Sequence, residues 1–93
     1  MRKSKPTLSR DAVIVNEFGL HARSAAKIAE LANRSMAPVW LQKGEHKADA
    51  SSVVDILTLA CGKGTKISIR IENKSDFSLL QDIMELVESG FGE

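Results

Sequence analysis

The sequence has no tyrosine and one tryptophan, and aromatic residues make up only 4% of its 93 positions. A surface that stacks nucleic-acid bases needs several aromatic side chains, and the strand-like stretch KISIRIE carries none. Excess charge of one sign is also missing, because 13 Lys and Arg nearly balance 12 Asp and Glu for a formal net charge of +1. Nothing in that balance points to nucleic acid or an acidic membrane surface as a partner. A single cysteine, Cys61, cannot close an internal disulfide, and no CxxC or histidine–cysteine spacing suggests a metal site. Cys61 precedes a glycine turn with no histidine or arginine beside it in sequence, so it reads as a small packed hydrophobe rather than a nucleophile. No apolar run approaches the length of a membrane span, and the basic start is followed by no apolar signal-peptide core. A cytoplasmic protein without membrane insertion is therefore expected.

What is present suits one folded domain: 43% hydrophobic and 27% charged residues, with no low-complexity segment and no internal repeat. A chain of this size buries only about 60–65% of its unfolded surface, so it must build one economical core. Residues 1–9 read as a polar basic extension and 10–93 as the domain. Arg2, Lys3, Lys5 and Arg10 form a basic cluster that reads as a solvated tail.

Along the domain, DAVIV is a β-branched run ended by Asn16 and Gly19, a strand feeding a loop. From about His21, apolar residues at Ala25, Ile28, Ala29 and Ala32 follow helical spacing. Pro38 stops that pattern, and Val39 and Leu41 then alternate with Trp40 and Gln42 as in a half-buried strand. KGEH supplies a turn into a second short strand with Ala48 and Ala50 inward, making a hairpin. Ser52 and Asp55 have capping-box spacing at the start of a short helix, about two turns long, with Gly62 near its stop. Ile67, Ile69 and Ile71 alternate with polar residues in the clearest strand of the chain. Ser75 is a candidate N-cap for a last helix with Phe77, Leu80, Ile83, Met84 and Val87 on one face, stopping at Gly90. The order β-α-β-β-α-β-α predicts an α+β fold, an open-faced β-sandwich: a four-stranded antiparallel sheet with three helices on one face and water on the other.

The chemistry concentrates in NEFGLHARSAA, where a histidine stands at the mouth of a helix after a glycine turn. The first-turn amides, including those of Ser24 and Ala25, are expected to lack intrahelical acceptors and to bind an anion. A phosphoryl group on His21 could accept from them, while Arg23 offers a planar fork suited to phosphate oxygens. The pattern suits a carrier, a nitrogen nucleophile whose acquired negative charge is welcome at the positive end of a helix.

GLHARSAA, followed by SVVDILTLACGKG and a closing FGE, resembles the HPr family of phosphocarrier proteins of the bacterial phosphoenolpyruvate-dependent sugar phosphotransferase system. The resemblance runs from about Asp11 to Glu93 and puts the family's phosphorylatable histidine on His21 and its phosphate-stabilising arginine on Arg23. Asn16 also matches a position the family commonly uses. The resemblance implies a monomeric carrier rather than an independent catalyst, with no cofactor. It would take phosphate from phosphorylated Enzyme I and pass it to a sugar-specific Enzyme IIA or a regulatory acceptor. It also implies a regulatory serine at Ser52, open to an HPr kinase/phosphorylase, and a docking patch of Val53, Val54 and Leu57. Other readings stand beside these: Ser52 as a plain N-cap, Val53 and Leu57 as core, and the whole chain as a regulatory binding module with slow or no phosphotransfer. The sequence departs from the family's usual GLHARPA at Ser24, which is expected to loosen the entry turn by a few tenths to about 1 kcal/mol.

Overall fold

The computed structural model describes residues 8–93, so Arg2, Lys3 and Lys5 of the basic cluster lie outside the described residues. Arg10 falls within the first strand, where its guanidinium sits 5.2 Å from the centre of the Phe77 ring. Strands β1 (Ser9–Val13), β2 (Val39–Lys43), β3 (His46–Asp49) and β4 (Lys66–Ile71) form one antiparallel sheet in the order β1-β4-β2-β3. Helices α1 (Ala22–Ala32), α2 (Val53–Leu57) and α3 (Phe77–Glu88) cover one of its faces.

Alternation decides which face is covered. Ile67, Ile69 and Ile71 of β4 and Val39 and Leu41 of β2 point into the core, each exposed by 2% or less. Burying each such side chain is worth about 1.5–3 kcal/mol, which fixes the register because a one-residue slip would turn all of them outward. In that register Leu41 faces Ile69 and Val39 faces Ile71. Ala25, Ala29 and Ala32 present a low, buried face of α1 alongside Ile28. Lys43 pairs with His46 across a two-residue turn in which Gly44 takes φ +60°, the backbone a tight hairpin requires at its first central position.

Two helix starts differ from the sequence pattern. Ser75 does not cap α3: Asn73 Oδ1 accepts the Ser75 N–H at 2.8 Å and opens a 3₁₀ turn, Lys74–Asp76, that leads into the helix. Asp76 is buried at the junction, its carboxylate accepting the Met36 and Ala37 amides, so the residue the loop before β2 needs displaces the periodic cap. Phe77 correspondingly lies outside the core, 40% exposed. In α2, Ser52 Oγ does accept the Asp55 N–H at 3.1 Å, but the Asp55 carboxylate turns instead to the Asp49 N–H at 2.7 Å. That helix is five residues long, and its stop comes before Gly62, with Ala60 at φ +52°.

After α3, Gly90, Phe91 and Gly92 each have φ between +61° and +73° and fold the chain back toward the loop between β1 and α1. A left-handed phenylalanine costs about 1–2 kcal/mol, which burial of its ring to 1% exposure offsets. Among the described residues no helix is long and apolar enough to cross a membrane.

Candidate functional site

The segment from Asn16 to His21 is pinned from several directions. Gly19 adopts φ +64°, and a Cβ there would lie 2.4 Å from the Cys61 carbonyl oxygen and 2.7 Å from the Gly62 Cα. The Leu20 N–H donates to that same Cys61 carbonyl at 2.8 Å. Asn16 is buried, and its Nδ2 donates to the Gly19 carbonyl at 2.8 Å and to Glu93 Oε1 at 3.0 Å.

His21 is the residue immediately before α1, with extended φ −121° and ψ −177°. Its backbone N–H donates to Ser24 Oγ at 2.9 Å, and that buried hydroxyl donates in turn to the Gly19 carbonyl at 3.0 Å. Ser24 stitches the entry turn, bonding to both the histidine and the glycine that precede the helix. The hydroxyl thereby both accepts and donates, while the Ser24 backbone N–H is turned toward the imidazole. Ser24→Ala is expected to destabilise the fold by about 1–2 kcal/mol, seen as a fall in the thermal unfolding midpoint of roughly 5–15 °C.

Ala25 corrects the expectation drawn from the sequence. Its amide makes the first intrahelical hydrogen bond, to the His21 carbonyl at 2.8 Å, and so has no free proton for an anion. Once His21 is the cap, the orphan donors lie two residues closer to the N-terminus than expected. The amides of Ala22 and Arg23 have no acceptor among the described residues.

Phe18, His21, Arg23 and Glu93 line an open cleft of about 420 Å³. Arg23 is exposed and makes no ion pair among the described residues. Phe18 is 76% exposed and meets the imidazole edge-on, with ring centres 6.2 Å apart. Across the cleft, Glu93 Oε2 lies 2.6 Å from His21 Nε2. Hydrogen bonds from Asn16 and then from His21, with Arg23 nearby, hold the Glu93 carboxyl below the usual carboxylate range. Lys27 Nζ donates to the Phe91 carbonyl at 2.6 Å and ties the returning chain to α1.

Of the remaining candidates, Val54 and Leu57 are exposed, 74% and 38%, whereas Val53 packs partly against the core. Ser52 is half-buried at the start of α2. Cys61 is buried, and that burial pushes its thiol up against the weaker pull of Lys43, as suits a packing residue. Among the described residues no group of three or more His, Cys, Asp and Glu could hold a metal ion. The motif-based reading gave no role to Phe18, Lys27 or Glu93. Phe18 adjoins the motif and is apolar beside a glycine turn, a signal that was there to be used. Glu93 arrives by tertiary folding, and only the glycine pair around Phe91 hints that the chain turns back.

The cleft sets a histidine beside an arginine and two unpartnered helix-start amides, and known proteins share the fold that carries it. The family described as PTS HPr component phosphorylation site matches residues 8–89. Phosphocarrier protein HPr of Cupriavidus necator is 30% identical over 86 residues, covering 92% of this chain and 97% of that protein. Phosphocarrier protein NPr of Shewanella violacea is 38% identical over 86 residues, covering 92% and 94%. In three dimensions, HPr-C-His from Thermoanaerobacter tengcongensis superposes with a TM-score of 0.85 at 29% identity, over 91% of this chain and 96% of the other. With the histidine, the arginine and the helix start in place on a sheet of matching topology, the chain belongs to the HPr and NPr family of phosphocarrier proteins.

Proposed function

We propose that His21 accepts a phosphoryl group from phosphorylated Enzyme I, itself charged from phosphoenolpyruvate, and passes it to a sugar-specific Enzyme IIA or a regulatory acceptor in the cytoplasm. The observation that carries this reading is the placement of the His21 imidazole at the start of α1, in one cleft with the Arg23 guanidinium and beside the unpartnered Ala22 and Arg23 amides. In the transfer the donor's N–P bond breaks with its electron pair left on the donor nitrogen, and a new N–P bond forms to the His21 ring. Arg23 and the amides then take up the charge of the phosphoryl oxygens. Val54 and Leu57 offer apolar surface for docking, with Val53 beneath them as support. Ser52 is a second modifiable hydroxyl; a phosphate there gains from the helix start and loses to the Asp55 carboxylate. An ATP-dependent kinase reaction with Ser52→Ala as control decides whether it is used.

Incubation with phosphoenolpyruvate and Enzyme I is expected to yield an acid-labile, base-stable phosphoramidate on the wild type and none on His21→Ala. If the wild type stays unlabelled where an ordinary HPr is charged, the carrier reading fails and a binding module of the same fold replaces it. Two relatives bearing the name phosphocarrier, at 38% and 30% identity, favour transfer over docking alone.

A further inference from the structure

We infer that Lys43 is a positioning residue for phosphoryl transfer at His21: its ammonium holds the turn after α2 in the conformation that supports the loop carrying the histidine. The inference rests on the carrier reading of His21 and extends it to a residue outside the cleft.

Lys43 stands where the sheet pattern calls for an apolar side chain. Val39, Leu41 and Lys43 occupy alternate positions of β2, and the first two point into the core. The lysine that follows them on that side is half-buried and makes no ion pair with a carboxylate among the described residues. Its Nζ donates instead to two consecutive main-chain carbonyls just beyond the end of α2, Leu59 at 3.0 Å and Ala60 at 3.2 Å. A cation suits that place, because carbonyls at the end of a helix concentrate negative charge.

Those carbonyls belong to the two peptide groups that flank the Ala60 Cα, so one ammonium fixes both dihedral angles of that residue. Ala60 needs fixing. It holds a left-handed backbone at φ +52°, which a residue with a Cβ keeps only where its surroundings impose it. The next carbonyl along the chain, that of Cys61, accepts the Leu20 N–H at 2.8 Å, and the main chain at Cys61 and Gly62 lies against Gly19. Released from the clamp, Ala60 returns to an ordinary backbone and turns the Cys61 carbonyl away from Leu20, the residue before His21. Lys43 thus acts on the histidine through main-chain contacts in series, without lining the cleft itself. A lysine kept only for solubility would reach into water rather than under a strained turn.

Hydrogen exchange followed by NMR on the full chain reads the loop, and transfer kinetics with the protein as varied substrate of phosphorylated Enzyme I read the chemistry. Lys43→Met keeps the stem and removes the charge. It is expected to speed exchange of the Leu20 amide by about tenfold, while Ile69, within β4, keeps its wild-type protection. The kcat should fall on the order of tenfold, with KM within about twofold of the wild type. Lys43→Arg, which can still donate to both carbonyls, is expected to restore both readouts, and Lys63→Met, which removes an exposed cation of the same segment, to change neither. In the Lys43→Met background, Ala60→Gly should recover part of the lost rate, since glycine holds a left-handed backbone without a clamp. The inference is overturned if Lys43→Met leaves either the Leu20 amide or kcat as in the wild type, or if Leu20 and Ile69 lose protection together, as a purely structural role requires. A wild type that never takes label overturns the carrier reading instead, and Leu20 exchange still reports separately on Lys43.

Discussion

Replacing Gly19 with alanine is expected to destabilise the protein by about 2–4 kcal/mol and to lower its unfolding midpoint by roughly 10–25 °C. Two costs combine. The left-handed backbone at φ +64° disfavours any Cβ by about 1 kcal/mol. The larger part comes from the contacts: 2.4 Å to the Cys61 carbonyl oxygen and 2.7 Å to the Gly62 Cα, both main-chain atoms that cannot swing aside. The loop must therefore back away from Cys61, stretching the Leu20-to-Cys61 hydrogen bond and carrying His21 with it. Phosphoryl acceptance should fall along with stability. Gly44→Ala is the internal control, since Gly44 has φ +60° but nothing within 4 Å of the new methyl group. Thermal unfolding of both variants by circular dichroism separates the effects, and equal losses would show that close approach to Cys61 does not matter.

The second large effect is kinetic and leaves the fold intact. Arg23→Ala is expected to slow phosphoryl transfer from phosphorylated Enzyme I on the order of 10²-fold, about 2.7 kcal/mol of transition-state stabilisation. Arg23 is exposed and carries no ion pair among the described residues, so its removal takes little from stability. What disappears is a charged donor beside the proposed position of the phosphoryl oxygens, and the Ala22 and Arg23 amides alone supply less charge. Arg23→Lys should lie between the two, because an ammonium keeps the charge but not the two-pronged geometry. Rapid-quench measurement of labelled protein checks the order. An unchanged rate in Arg23→Ala would remove the guanidinium from the site's chemistry.

Local patterns carried most of the fold. The isoleucine alternation of β4 and the alanine face of α1 could be read directly because one periodic signal specified each, and burial reinforced it. Errors arose where a distant residue competes for the same backbone. Ser75 had the right side chain for a cap, yet Asn73 starts the turn and Asp76 is drawn to the Met36 and Ala37 amides across the molecule. At the candidate site, the His21–Arg23 pair was legible because both belong to one short motif. The free amides were misplaced by two residues because the position of the cap depends on how Ser24 bonds to His21. Glu93 could not be read at all as a partner of His21, since the two meet only through the turn around Phe91.

The strand order β1-β4-β2-β3 also sets a schedule for synthesis. β1 bonds only to β4, whose first residue, Lys66, follows the last of β1, Val13, after most of the chain has been made. At about 5–20 residues per second the first strand waits roughly 3–10 s for its partner. Until then the β2–β3 hairpin is the one piece of sheet that can form, and neither side of the His21 loop has its support, because Cys61 and Glu93 come late. A nascent chain therefore completes the contacts of the His21 loop only after both the Cys61 and the Glu93 segments have been made.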